Sequence, residues 1–133
     1  MSGERARMAK QIIGGASSEG LPYSKAVRAG DMVYVSGMVG FGPDGAIVAG
    51  GIAAQTRQIL TDLTDILAQA GCGLGDVVKV NVCLPDPGDF DAFNAVYAEF
   101  FDRHPPARAT ICALLTLDAA VEIEAIAYAP LDR

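Results

Sequence analysis

The spacing of apolar positions changes several times along the chain, and each change predicts an element. Gln11 to Ile13 can start a strand before the Gly14-Gly15 break. Residues 26–28 and 32–39 are short β-rich runs separated by Ala29-Gly30-Asp31, which predicts a hairpin. The second run, Met32-Val33-Tyr34-Val35-Ser36-Gly37-Met38-Val39, is apolar at both parities, the pattern of a strand covered on both faces. Pro43-Asp44-Gly45 predicts a turn. From Ile52 the period becomes helical. Ile52, Thr56, Ile59, Leu60, Leu63, Ile66, Leu67 and Ala70 share one stripe, with Arg57, Gln58, Asp62 and Asp65 opposite, and Gly71 is placed to end the helix.

Residues 76–84 read as a buried strand through Val77, Val78, Val80, Val82 and Leu84. Asp89 is positioned to cap a second helix whose apolar face is Phe90, Phe93, Tyr97, Phe100 and Phe101, and Pro105-Pro106 stops it. Strands near 108–115 and 121–128 follow. Grouped strands with two long helices and no strict βαβ alternation predict an α+β fold, one mixed sheet with both helices on one face. No linker or repeat interrupts residues 1–133, which read as a single domain with residues 1–8 expected to be flexible.

Composition narrows the classes. The 133 residues are 51% apolar and 20% charged, too hydrophobic for a disordered chain. Ten basic against sixteen acidic residues leave a net charge of −6, which argues against nucleic acid as a partner. No apolar run approaches the roughly 18–20 residues of a membrane span, and no secretory signal follows Arg5, Arg7 and Lys10. Cys72, Cys83 and Cys112 are odd in number and widely spaced, which predicts free thiols in a reducing cytoplasm. His104 is the single histidine, so a multi-histidine metal site is excluded and no metal or cofactor is expected.

The most informative stretch is Pro105-Pro106-Ala107-Arg108-Ala109-Thr110. Two prolines stiffen the backbone just before a strand, and strand parity groups Arg108 with Thr110 and Cys112. A guanidinium among apolar neighbours calls for an anionic partner. That partner is either Glu122 or Glu124, in a structural ion pair, or the carboxylate of a substrate. Glu122 and Glu124 share a strand face, where mutual repulsion and burial would raise at least one pKa, unless that face is a solvated edge. His104 reads as a cap for the helix end. The glycines at 37, 40, 42 and 45 match no phosphate-binding loop.

Taken together, these residues resemble the Rid/YjgF family of reactive-intermediate deaminases. The resemblance rests on Pro22-Tyr23-Ser24 with Ala26-Val27, Val35-Ser36-Gly37, and Gln55-Thr56-Arg57 with Leu63. It continues through Asp89-Phe90, Asn94, Tyr97 and Phe100-Phe101 to Pro105-Pro106-Ala107-Arg108 and Val121-Glu122-Ile123-Glu124-Ala125. It implies a chorismate-mutase-like α+β fold in a homotrimer with clefts between subunits. Such proteins hydrolyse enamines and imines such as 2-aminoacrylate to 2-oxo acids and ammonia, without a cofactor.

On that resemblance Arg108 binds the substrate carboxylate, Glu122 positions water, and Tyr23 joins them as the catalytic set. Gly37, Asn94, Thr110, Phe93 and Ser36 join Arg108 in binding substrate. The chain departs from the family pattern at Lys25, at Pro85, Pro87 and Gly88, at Leu115-Thr116-Leu117-Asp118, and in an Arg108-to-Glu122 interval one residue short. These changes bear on substrate identity. The rival readings are a non-catalytic trimer that binds small carboxylates and a deaminase of another substrate, such as an aminomuconate-like catabolite. A third is a ribonuclease or translation inhibitor, against which the acidic charge weighs.

Overall fold

The computed structural model describes residues 9–131, so the expectation for residues 1–8 lies outside the described residues. Among the described residues six strands and two α-helices run in the order β1 (Gln11–Ala16), β2 (Ser24–Ala29), β3 (Met32–Met38), α1 (Gly51–Gln69), β4 (Val77–Cys83), α2 (Phe90–Phe100), β5 (Ala107–Ile111) and β6 (Glu122–Tyr128). The strands form one six-stranded sheet ordered β1-β2-β3-β6-β4-β5. Every pairing is antiparallel except β4 with β5. The last strand therefore lies in the middle, joining the N-terminal meander to the β4–β5 pair.

Both helices cover one face of the sheet, giving the α+β architecture that the element order predicts. Ile59, Leu60, Leu63 and Leu67 of α1 and Phe93 and Tyr97 of α2 pack into one core with Val33, Val35, Val80, Val82, Ile123, Ala125 and Ala127. The intervening strand positions point the other way, and among the described residues no second layer covers them. Tyr34 is 45% exposed and Tyr128 51%. This corrects the reading of β3 as a strand covered on both faces, because the helices supply only one layer. Val78 is likewise exposed, where the β4–β6 register shifts between Val77 and Lys79.

Three boundaries also differ from expectation. Gly14 and Gly15, at φ 76° and 77°, do not end β1. They bulge it, and pairing with β2 resumes at Ala16 opposite Ser24. Asp89 stands at the start of α2 without a side-chain cap bond, whereas Asp86 accepts from the Gly88 N–H at 2.8 Å in the preceding turn. Strand β5 stops at Ile111 because its partner β4 stops at the paired Cys83.

A missed residue ties α1 to the sheet. Arg28, on the core parity of β2, is 4% exposed. Its guanidinium donates to the carbonyls of Ala70 at 2.6 Å, Ala129 at 2.7 Å and Gly30 at 3.3 Å. A cation on the last carbonyls of a helix also meets the negative end of the helix dipole. No helix among the described residues is long and apolar enough to cross a membrane.

Candidate functional site

The expected site residues fall into two groups, brought forward by different strands. The first lies in an open cleft of about 690 Å³ whose walls include Tyr23, Ser36, Gly37 and Glu122. Tyr23 leads into β2 from a compact turn over residues 17–23. That turn is closed by the Ser17 N–H donating to the Tyr23 carbonyl at 2.9 Å and the Glu19 N–H donating to the Ser17 hydroxyl at 3.1 Å. Ser36 donates its hydroxyl to the Ser24 carbonyl at 2.6 Å. Near the end of β3 the register with β6 shifts between Val35 and Met38, and Glu122 folds against Gly37. A Cβ on Gly37 would lie 2.8 Å from Glu122 Oε1, so only glycine lets the carboxylate rest there.

This cleft is strongly acidic. Glu19, Asp62, Asp65, Glu122 and Glu124 line it, with Lys25 as the lone basic residue among the described lining. Partial burial pushes the pKa of Glu122 up, and the charges of Glu124 and Glu19 push it further. The shared face of Glu122 and Glu124 thus has the expected consequence for Glu122. Glu124 is exposed and accepts from Asn81 Nδ2 at 2.9 Å. Burial also raises the pKa of Asp62, against a hydrogen bond from Gln58 and the Lys25 charge.

The second group surrounds Arg108. Strand β5 pairs Arg108 with Val80 and Thr110 with Val82, so both face the helices. The guanidinium carbon lies 4.7 Å from the Tyr97 ring centre, 5.4 Å from Phe93 and 5.9 Å from Phe90. Such ring faces hold a cation without neutralising it. Asn94, half-buried, follows Phe93 on α2. The sequence placed Phe93 in the core stripe; it is there, and it also flanks the arginine. No pattern in the chain announced that Phe90 and Tyr97 complete the box.

The structure does not join the two groups within one chain. Glu122 and Glu124 lie on the parity of β6 that faces away from the helices, and Arg108 faces toward them. The intrachain ion pair considered for Arg108 is therefore absent; among the described residues the ion pair is Arg57–Glu99, at 2.9 Å on the exposed helical surface. His104 does not cap α2 either. It is exposed at φ 50°, and the helix end is closed by the Phe101 N–H on the Tyr97 carbonyl at 3.0 Å. Cys72, Cys83 and Cys112 form no disulfide with one another. Gln55, buried in α1, accepts the Ala120 N–H at 2.8 Å and so anchors the loop before Glu122.

Comparison with known proteins bears on the family and the fold. The profile of the family described as Endoribonuclease L-PSP matches residues 16–129. A RutC family protein of Pyrococcus horikoshii is 46% identical over 109 residues, 80% of this chain and 86% of the relative. A human 2-iminobutanoate/2-iminopropanoate deaminase is 38% identical over 122 residues, 89% of each chain. The crystal structure of RidA from an Antarctic Psychrobacter superposes with a TM-score of 0.82 at 37% identity, covering 89% of this chain and 98% of that one.

Proposed function

Because the chain belongs to the Endoribonuclease L-PSP family, the Rid/YjgF proteins, we propose that it is a hydrolytic imine and enamine deaminase. It would convert 2-aminoacrylate-like intermediates to 2-oxo acids and ammonia in sites formed between the subunits of a homotrimer. One observation carries this reading: the separation of Arg108 from the Glu122 cleft. Among the described residues Arg108 has no carboxylate partner, and the cleft holds carboxylates without a guanidinium. Each half supplies what the other lacks, and the uncovered sheet face offers a surface on which a second copy would bring them together.

The chemistry follows from the residues. Arg108 grips the substrate carboxylate as a fork and holds C2 still. Glu122 takes a proton from water as the oxygen attacks C2 of the protonated imine, giving a neutral carbinolamine. It then returns that proton to the nitrogen. The C–N bond breaks, ammonia leaves, and loss of the hydroxyl proton gives the 2-oxo acid. An enamine first accepts a proton at C3 and becomes the protonated imine. A carboxyl with a raised pKa suits both proton transfers near neutral pH.

Enzymatically generated 2-iminobutanoate tests the reading. The wild type should accelerate release of 2-oxobutanoate and ammonia, and Arg108→Ala should lose about 100-fold or more. A normal rate in Arg108→Ala would overturn it. Saturable 2-oxo-acid binding without acceleration would replace the enzyme by a carrier. The family description names a nuclease, but a cleft with one lysine among five carboxylates is a poor seat for RNA.

A further inference from the structure

Along the inner stripe of α2, Tyr97 stands between Phe93 and Phe101, with ring centres 5.4 Å and 4.7 Å away. The three rings pack alike, and Tyr97 differs in carrying a hydroxyl. Tyr97 is 6% exposed, and among the described residues its hydroxyl makes no hydrogen bond of good geometry. A buried hydroxyl without a partner is destabilising, and phenylalanine would remove that cost without changing the packing. The Thr110 hydroxyl, two residues along β5 from Arg108 on the same face, is also buried without a partner. Of the three buried hydroxyls that lack a partner, those of Thr56, Tyr97 and Thr110, the last two belong to residues beside Arg108, which has no anion among the described residues.

We propose that Tyr97 is a further substrate-binding residue, its hydroxyl donating with Arg108 and Thr110 to the carboxylate of the bound 2-imino or 2-oxo acid. This rests on the reading of Arg108 as the carboxylate fork. Its chemical content is that all three groups can donate hydrogen, so the set fits an anion. Burial pushes the Tyr97 pKa up, which keeps the hydroxyl protonated; the Arg108 charge and a loose hydrogen-bonding contact of its guanidinium with the hydroxyl oppose that shift and are smaller. The guanidinium over the ring also restricts its own swing, so Tyr97 would aim the fork as well as add a donor.

Tyr97→Phe tests this cleanly, because it deletes one oxygen. We expect an unchanged or higher melting temperature, unchanged oligomeric mass, and kcat within twofold. KM for 2-iminobutanoate and Ki for pyruvate should each rise about 3–10-fold. Thr110→Val in the same background should raise both further. Unchanged KM and Ki would overturn the proposal. So would a lower melting temperature or a change in mass, which would make the hydroxyl a structural or intersubunit bond. If the wild type proves inactive, pyruvate affinity decides: weakened binding in Tyr97→Phe sustains the anion site while the deaminase reading fails, and unchanged binding ends both.

Discussion

Glu122 is held where its charge is disfavoured, folded against Gly37 with Glu124 and Glu19 nearby. Its pKa in the fold lies above the ordinary 4.5, so the folded chain binds that proton more tightly than the unfolded chain. The resulting stabilisation is present in acid, below the unfolded value, and is lost as pH rises through the raised one. Glu122→Gln should therefore raise the melting temperature by about 1–3 °C at about pH 7 and by nothing at about pH 4. The same variant should lose about 100-fold or more in imine hydrolysis, so stability and activity would move in opposite directions. At this scale Arg108 was legible because two prolines and flanking alanines make a charge there conspicuous. Arg28 was not, since a lone arginine in a short strand reads as a solvated side chain until helix and strand ends converge on it.

At the scale of elements, Arg28 is the joint between the end of α1, the hairpin turn and the end of β6. Arg28→Met keeps much of the apolar stem but leaves three carbonyls without their donor. We expect a loss of about 2–4 kcal/mol, or roughly 8–15 °C in melting temperature, with kcat at low temperature retained. Thermal unfolding followed by circular dichroism measures it. The helices themselves were plain in the sequence, because the α1 stripe from Ile59 to Leu67 leaves one consistent buried face. The strands were less plain. Val78 and Val80 are chemically identical, and only a register shift sends the first to solvent and the second to the core.

At the scale of the whole molecule, the sheet face away from the helices carries Tyr34, Ile126 and Tyr128, which are too apolar for a permanently wet surface. The two-sided apolar pattern of β3 fits the same face, because in the proposed trimer its second cover comes from another copy. Sedimentation should give a mass of three chains. Tyr34→Asp should shift the mass toward one chain and lower imine hydrolysis by about tenfold or more, because each site would lose its other half. A monomeric variant with full activity would refute a site shared between subunits. No pattern within a single sequence states how copies meet, so this part of the site was reached through family resemblance and not through periodicity.

The central place of β6 has a consequence for synthesis. A ribosome delivers β1 to β5 before the strand that joins them, and the β3–β6 pairing links Met32 to Tyr128 across most of the chain. Until residue 128 emerges, β3 and β4 each present an unpaired edge, and Glu122 has not yet met Gly37. Nascent chains stalled just short of β6 should therefore be sticky and readily cut by protease, and completion of the sheet and of the cleft should come in one late step.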